Sequence, residues 1–170
     1  MTTARNLLLL ISALVLASGS LAQASPVPPP AESLLGSAPG PFVALSVADL
    51  DREVAWFRDV LGFSVHSQGV APNNEKIRFA LLQQDSALVE LLQLPDAKPR
   101  AEAAPGTTGA HQIQGFFKSG FVVKDIDAAY KRLKALGISF AYDLGQPPNG
   151  PYRSFGVRDP EGNLLQFFGR

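Results

Sequence analysis

The 170-residue chain contains no cysteine, one tryptophan, one methionine and two histidines. Without cysteine there is no disulfide, no lipid-modified cysteine and no Cys–His catalytic pair, so packing alone must hold the fold. Neither sign of charge is in excess: 15 Lys and Arg stand against 15 Asp and Glu. No basic stripe interrupts that balance, which excludes a nucleic-acid-binding face. No Gly-rich phosphate loop follows a strand, and no Ser-His-Asp arrangement is visible. The longest apolar run, Leu7 to Ala17, is 11 residues. That is well short of the roughly 20 a spanning helix needs.

That run has a different use. Arg5 precedes it, and Ser18-Gly-Ser-Leu-Ala-Gln-Ala24 follows, with small residues at Ala22 and Ala24. The pattern predicts a secretory signal peptide over 1–24, cleaved after Ala24, and hence a periplasmic or secreted protein with no membrane attachment after cleavage. Cleavage removes Arg5 and no acid, leaving 14 basic against 15 acidic residues. Residues 25–40 are rich in Pro, Ser, Gly and Ala and read as a flexible leader. The remaining 41–169 are enough for one domain with a real core.

Within that domain the chain repeats itself. Val47-Ala-Asp-Leu-Asp51 leads to Leu61-Gly62-Phe63, and Val123-Lys-Asp-Ile-Asp127 leads to Leu136-Gly137-Ile138. Each copy reads as a strand end, a capped helix, a glycine stop and a new strand. One folding unit is used twice, and a site belongs where the copies meet.

The first unit predicts a strand over Phe42–Val47 and a helix from the Asp49 cap to Leu61, with Val54, Phe57, Val60 and Leu61 on one face. Gly62 ends the helix. Strands over Phe63–Gly69, Lys76–Gln83 and Ala87–Leu94 follow, separated by turns at Asn73-Asn74 and Asp85-Ser86. The second unit predicts a strand over Phe116–Val123 and a helix over 125–136. Strands over Ile138–Tyr142, Arg153–Arg158 and Asn163–Phe168 complete it. The Pro-rich stretch Gln146–Pro151 cannot join a ladder, and Asp159-Pro-Glu-Gly162 makes a tight turn. The expected fold is therefore α+β: module one (41–95) and module two (116–169), each βαβββ, joined by a linker (96–115) and curling around a shared cavity.

Particular residues carry a family resemblance. They are Val43-Ala-Leu-Ser-Val47 with Asp49-Leu50, Trp56-Phe57-Arg-Asp-Val-Leu-Gly-Phe63, Val89-Glu90-Leu91, Val123-Lys-Asp-Ile126 and Val157-Arg-Asp-Pro-Glu-Gly-Asn-Leu-Leu165. Together they resemble the vicinal oxygen chelate superfamily, which includes glyoxalase I, bleomycin-resistance proteins, extradiol dioxygenases and fosfomycin-resistance enzymes. The resemblance covers about residues 41 to 169. It implies paired curved sheets and, in the enzymes, a divalent metal held by one side chain from each of four inner strands.

Carried over position by position, those four places are Phe42, Glu90, Lys118 and Gln166. Only Glu90 is an ordinary ligand there. Gln166 offers a carbonyl oxygen, Phe42 has no lone pair, and Lys118 is a cation. The metal site implied by the family therefore looks dismantled. No cofactor is expected, with a divalent metal as the less favoured alternative and His111, in the linker, as a substitute ligand. His66 reads as a solvated edge residue. Alternation puts Leu88 beside Glu90 on the inner face. The resemblance implies that the Pro-rich loop borders the pocket mouth, which would bring Arg153 to it. Phe42, Leu88, Glu90, Lys118, Arg153 and Gln166 are thus the expected ligand-binding set, with Glu90 and Lys118 facing each other as an ion pair.

The favoured reading is a metal-free protein binding a small, partly apolar or anionic molecule between the modules; a homodimer is compatible with it. A glyoxalase-like lyase or isomerase, or a dioxygenase-type enzyme, with Glu90 as base is the alternative. A structural module with a closed cavity is the third.

Overall fold

The computed structural model describes residues 42–146 and 150–170. The expected signal peptide, the leader and part of the Pro-rich loop lie outside the described residues.

Module one runs β1 (Phe42–Ser46), α1 (Leu50–Trp56) continued by a π-helical turn (Phe57–Leu61), β2 (Ser64–Ala71), β3 (Asn74–Gln84) and β4 (Ala87–Gln93). Module two runs β5 (Ser119–Val122), α3 (Ile126–Ala135), β6 (Phe140–Gly145), β7 (Arg153–Arg158) and β8 (Leu164–Gly169). Between them lie a single turn, α2 (Arg100–Ala103), and a 3₁₀ turn at Ala110–Gln112. Each module forms its own four-stranded sheet, ordered β1-β4-β3-β2 and β5-β8-β7-β6. The first strand of each runs parallel to the last, and the other pairs are antiparallel.

The duplication is visible in hydrogen bonds as well as in order. Asp49 accepts the Arg52 N–H at 3.1 Å, and its counterpart Asp125 accepts the Ala128 N–H at 2.9 Å. Both satisfy donors that a helix start leaves unpaired. Val47 N–H donates to Leu92, and Val123 N–H to Phe168. Gly62 and Gly137 end the helices at φ of 82° and 68°, a left-handed turn that a side chain would strain.

The copies differ by one residue. Thirteen positions separate Asp49 from Gly62, whereas twelve separate Asp125 from Gly137. The π turn at Phe57–Leu61 absorbs the extra residue. The sequence predicts one uninterrupted helix to Leu61, so the α-helical part is shorter than expected. Wider turns still keep Phe57 and Leu61 on the buried face.

Other boundaries shift at edges. The expected strand 116–123 pairs only over Ser119–Val122, and 138–142 becomes Phe140–Gly145. The register explains both: β8 offers β5 partners only from Leu165 to Phe168, and β6 follows β7 out as far as Ser154.

Alternate residues of each sheet point at its helix. Leu45, Val47, Ala80, Leu82, Val89 and Leu91 pack with Leu50, Val54 and Phe57, and Phe155, Val157, Leu165 and Phe167 with Ile126 and Leu133. Full burial of each larger side chain contributes roughly 1.5–3 kcal/mol. Aromatic rings link the two cores in an unbroken chain: Trp56, Phe57, Phe63, Phe121, Phe167 and Phe155 follow one another at centroid distances of 5.0–5.8 Å. Trp56 thus packs edge-on against Phe57.

Candidate functional site

The sheet faces turned away from the helices carry three of the four positions a metal would need. Phe42 stands opposite Leu88 and Glu90 opposite Ala44, so Phe42 and Glu90 share one face of sheet one, two residues apart along the strands. Gln166 stands between Gly120 and Gly156 on the corresponding face of sheet two. Lys118 precedes β5, exposed, with its ammonium 5.3 Å from the Phe117 ring.

The ion pair expected between Glu90 and Lys118 does not form: Glu90 makes no ion pair or side-chain hydrogen bond among the described residues. Glu90 is half-buried beside Leu81 and Ala44. Lys118 lies outside the β5 ladder, so nothing directs its side chain across.

Gln166 is buried, and its Oε1 finds no partner. A neighbour explains the burial. Tyr142 is paired in register with Gly156, and a Cβ on Gly156 would collide with the Tyr142 ring. The ring therefore lies flat across the strand at the glycine, beside Ser154 and Gln166. Its phenol is pushed up by burial, against the effect of hydrogen bonding with Ser154 and Gln166. Sequence reasoning missed this residue. The available signal was Gly156 itself, a glycine inside a strand of bulky residues, which marks close approach by another group.

These four residues do not suit a metal. One has no lone pair, one is a cation, one is a half-buried carboxylate, and one amide oxygen is buried beside Tyr142. Among the described residues no cluster of three or more His, Asp or Glu has metal-binding geometry. His66 and His111 are both exposed, and neither joins such a group.

A cavity of about 790 Å³ opens where the modules meet. Its walls come from the free edges of β1 and β5, the end of helix α1, one face of α3 and the β3–β4 turn. Phe42 and Leu88 of the expected set line it, with Val60, Phe63, Phe121 and Leu133. Glu90, Lys118, Arg153 and Gln166 do not line it. Arg153 binds Asp127 in the first turn of α3 at 2.7 Å, and that contact holds the Asp127 carboxyl below its usual range. Lys124 and Arg132, which sequence reasoning passed over, contribute the cavity's basic side chains, and Asp85 its acidic one.

At a second junction, which borders a cavity of about 570 Å³, the chain's own acids bridge the modules. Glu161, in the β7–β8 turn, accepts the N–H groups of Ala48 and Asp49 at 2.8 Å each and approaches Arg52 at 3.4 Å. Asp159 holds that turn by accepting from Glu161 N, Asn163 N and Asn163 Nδ2. Beside them Glu53 is fully buried, with neither carboxyl oxygen hydrogen-bonded. Burial pushes its carboxyl up to about 8, and Asp159 and Glu161 add to the rise. Burial also raises Asp159. Glu53 is thus a neutral acid at pH 7.

Comparison with known proteins agrees with this architecture. The sequence model of the Glyoxalase/Bleomycin resistance protein/Dioxygenase superfamily matches residues 41–167. A bleomycin resistance protein from Geobacillus stearothermophilus is 30% identical over 130 residues, spanning 74% of this chain and 92% of that protein. The crystal structure of TioX from Micromonospora sp. ML1 is 28% identical with a TM-score of 0.53, covering 77% of this chain and 95% of its own. A glyoxalase family protein from Enterococcus faecalis superimposes with a TM-score of 0.60 at 17% identity, covering 80% of this chain and 99% of its own, a likeness of fold.

Proposed function

The chain belongs to the Glyoxalase/Bleomycin resistance protein/Dioxygenase superfamily, and we propose that it serves there as a metal-independent binder of a small, largely apolar molecule. One observation carries the reading: a cavity of about 790 Å³ at the module junction, walled mainly by apolar side chains with a few polar groups. That volume and lining are typical of small-molecule sites. The Geobacillus relative is named a bleomycin resistance protein, and resistance through capture of a small molecule is compatible with such a cavity.

The metal-dependent reactions of the superfamily need donors that Phe42 and Lys118 do not supply. Glu90 makes no ion pair or side-chain hydrogen bond among the described residues that would position it as a general base. The reading therefore rests on binding.

Export belongs to the same proposal. The apolar run Leu7–Ala17 and the Ala22-Gln-Ala24 site support delivery outside the cytoplasm, with a mature N-terminus at Ser25. A second copy covering the open sheet faces, where Phe42 and Val122 are exposed, is the assembly that best fits such a surface.

Native mass spectrometry on protein isolated from its own compartment tests the binding, the absence of metal and the export. The expected result is a chain starting at Ser25 that carries a non-covalent organic mass and no metal. A chain retaining Met1, or one stoichiometric metal lost on Glu90→Ala, overturns the corresponding part. An empty cavity that also fails to take up apolar probes overturns the binding role.

A further inference from the structure

The two junctions between the modules are counterparts under the internal repeat; each borders a cavity, and they differ in whether the other module caps the helix start. Superposing Val47 on Val123 puts Ala48 on Lys124, Asp49 on Asp125, Glu53 on Ala129 and Trp56 on Arg132. At the capped junction the long β7–β8 turn, 159–163, delivers the Glu161 carboxylate onto the N–H groups of Ala48 and Asp49. At the other, the β3–β4 turn is only Asp85-Ser86, between Gln84 and Ala87. It carries no residue in the place of Glu161. Among the described residues the N–H groups of Lys124 and Asp125 have no acceptor. Lys124, in the place of Ala48, and Ala129, in the place of Glu53, lie in the wall of the 790 Å³ cavity already described, and Asp125 directly follows Lys124.

Charge points the same way. Arg132 and Lys124 line this cavity and make no ion pair among the described residues, against one carboxylate, Asp85, at the turn. The lining itself carries one positive charge in excess, and the Asp125 carboxylate, outside the lining, is turned onto the Ala128 N–H. α3 adds the positive end of a ten-residue helix. Beyond that end the lining is apolar: Phe63, Phe121 and Leu133.

We infer that the cavity takes an amphipathic carboxylic acid, its carboxylate on the N–H groups of Lys124 and Asp125 and on Arg132, its apolar body between the modules. The ligand's carboxylate repeats the contacts of Glu161. A guanidinium and two amides together satisfy both oxygens of a carboxylate. This assignment rests on the cavity being a small-molecule site, and its test separates the two ideas.

The probes are octanoate and 1-octanol, which share an apolar chain and differ in the charged head. Calorimetric titration of the full mature chain should show octanoate binding at least tenfold tighter than octanol at low ionic strength. Arg132→Gln, a substitution at an exposed helix position, should weaken octanoate about tenfold and leave octanol unchanged. The Lys124 and Asp125 amide resonances should shift with octanoate and not with octanol. Equal affinity for the two probes, or octanoate binding indifferent to Arg132→Gln, overturns the carboxylate assignment while leaving the cavity as an apolar site. Failure of both probes to bind overturns the cavity reading and the assignment with it.

Discussion

The rings of Phe63 and Phe121, one from each module, lie with centroids 5.5 Å apart and planes tilted by 56°. They join the two cores and form part of the cavity wall at once. A contact with both roles couples stability to the shape of the site.

Phe121→Ala should therefore destabilise the domain. A fully buried Phe→Ala change costs about 3–5 kcal/mol, and the partial exposure of Phe121 brings the expectation to about 2–3 kcal/mol. Urea unfolding measures it. A double-mutant cycle with Phe63→Ala should return a coupling of about 0.5–1.5 kcal/mol. Additive losses would show that the modules are held elsewhere.

Glu53 makes stability depend on pH. Its folded-state carboxyl titrates at about 8 against an ordinary 4.5. Between those values the native state holds a proton that the unfolded state has lost. The contribution is thus complete below about pH 4.5 and is lost as pH rises through 8, with a slope of at most about 1.4 kcal/mol per pH unit. Glu53→Gln keeps the shape without the ionisation. Its stability curve from pH 5 to 9 should be flatter than that of the parent, and the variant should be the more stable of the two at pH 9. Parallel curves would place the proton elsewhere, Asp159 being the nearest candidate.

Lys118→Met should change stability by no more than about 0.5 kcal/mol, as surface substitutions do. Had the expected buried pair with Glu90 existed, losing one partner would cost roughly 3–5 kcal/mol. Thermal unfolding distinguishes the two outcomes easily. A large loss would mean that Glu90 and Lys118 meet in the folded protein after all.

That difference marks where sequence reasoning reached its limit. The repeat, the caps at Asp49 and Asp125, the stops at Gly62 and Gly137 and the order of strands were all legible, because each depends on residues within one turn or one strand. The inner-face alternation of Phe42, Leu88 and Glu90 was legible for the same reason. Three features were not. The direction of the Lys118 side chain depends on where β5 stops pairing, which β8 decides. Tyr142 lies beside Gln166 only because the register of β6 on β7 sets it opposite Gly156. The uncapped junction needs two turns of unequal length placed against two helix starts, a relationship between modules that no local pattern contains. Even the π turn was present as one extra residue between Asp49 and Gly62, yet only the folded helix shows where it is absorbed.

Tyr142 supplies a test of the metal question that does not depend on activity. Gln166 is the one position of the four where a side-chain oxygen is already present but buried, and the Tyr142 ring lies beside it over Gly156. Two obstacles then stand between this chain and a metal: poor donors at Phe42 and Lys118, and a ring beside the fourth position. Phe42→His, Lys118→His and Gln166→Glu together, with Glu90 kept, install nitrogen and carboxylate donors of the kind zinc accepts. Elemental analysis after incubation with zinc and desalting should find well under one ion per chain in the parent. The triple variant should retain more, and adding Tyr142→Ala should raise retention further by opening position 166. Removing the ring also opens the strand at Gly156, so that variant should lose about 0.2–1 kcal/mol of cross-strand stabilisation. Zinc retained at one ion per parent chain and released by Glu90→Ala would overturn the metal-independent reading. Equal retention with and without Tyr142 would show that the donors, rather than the neighbouring ring, set the limit.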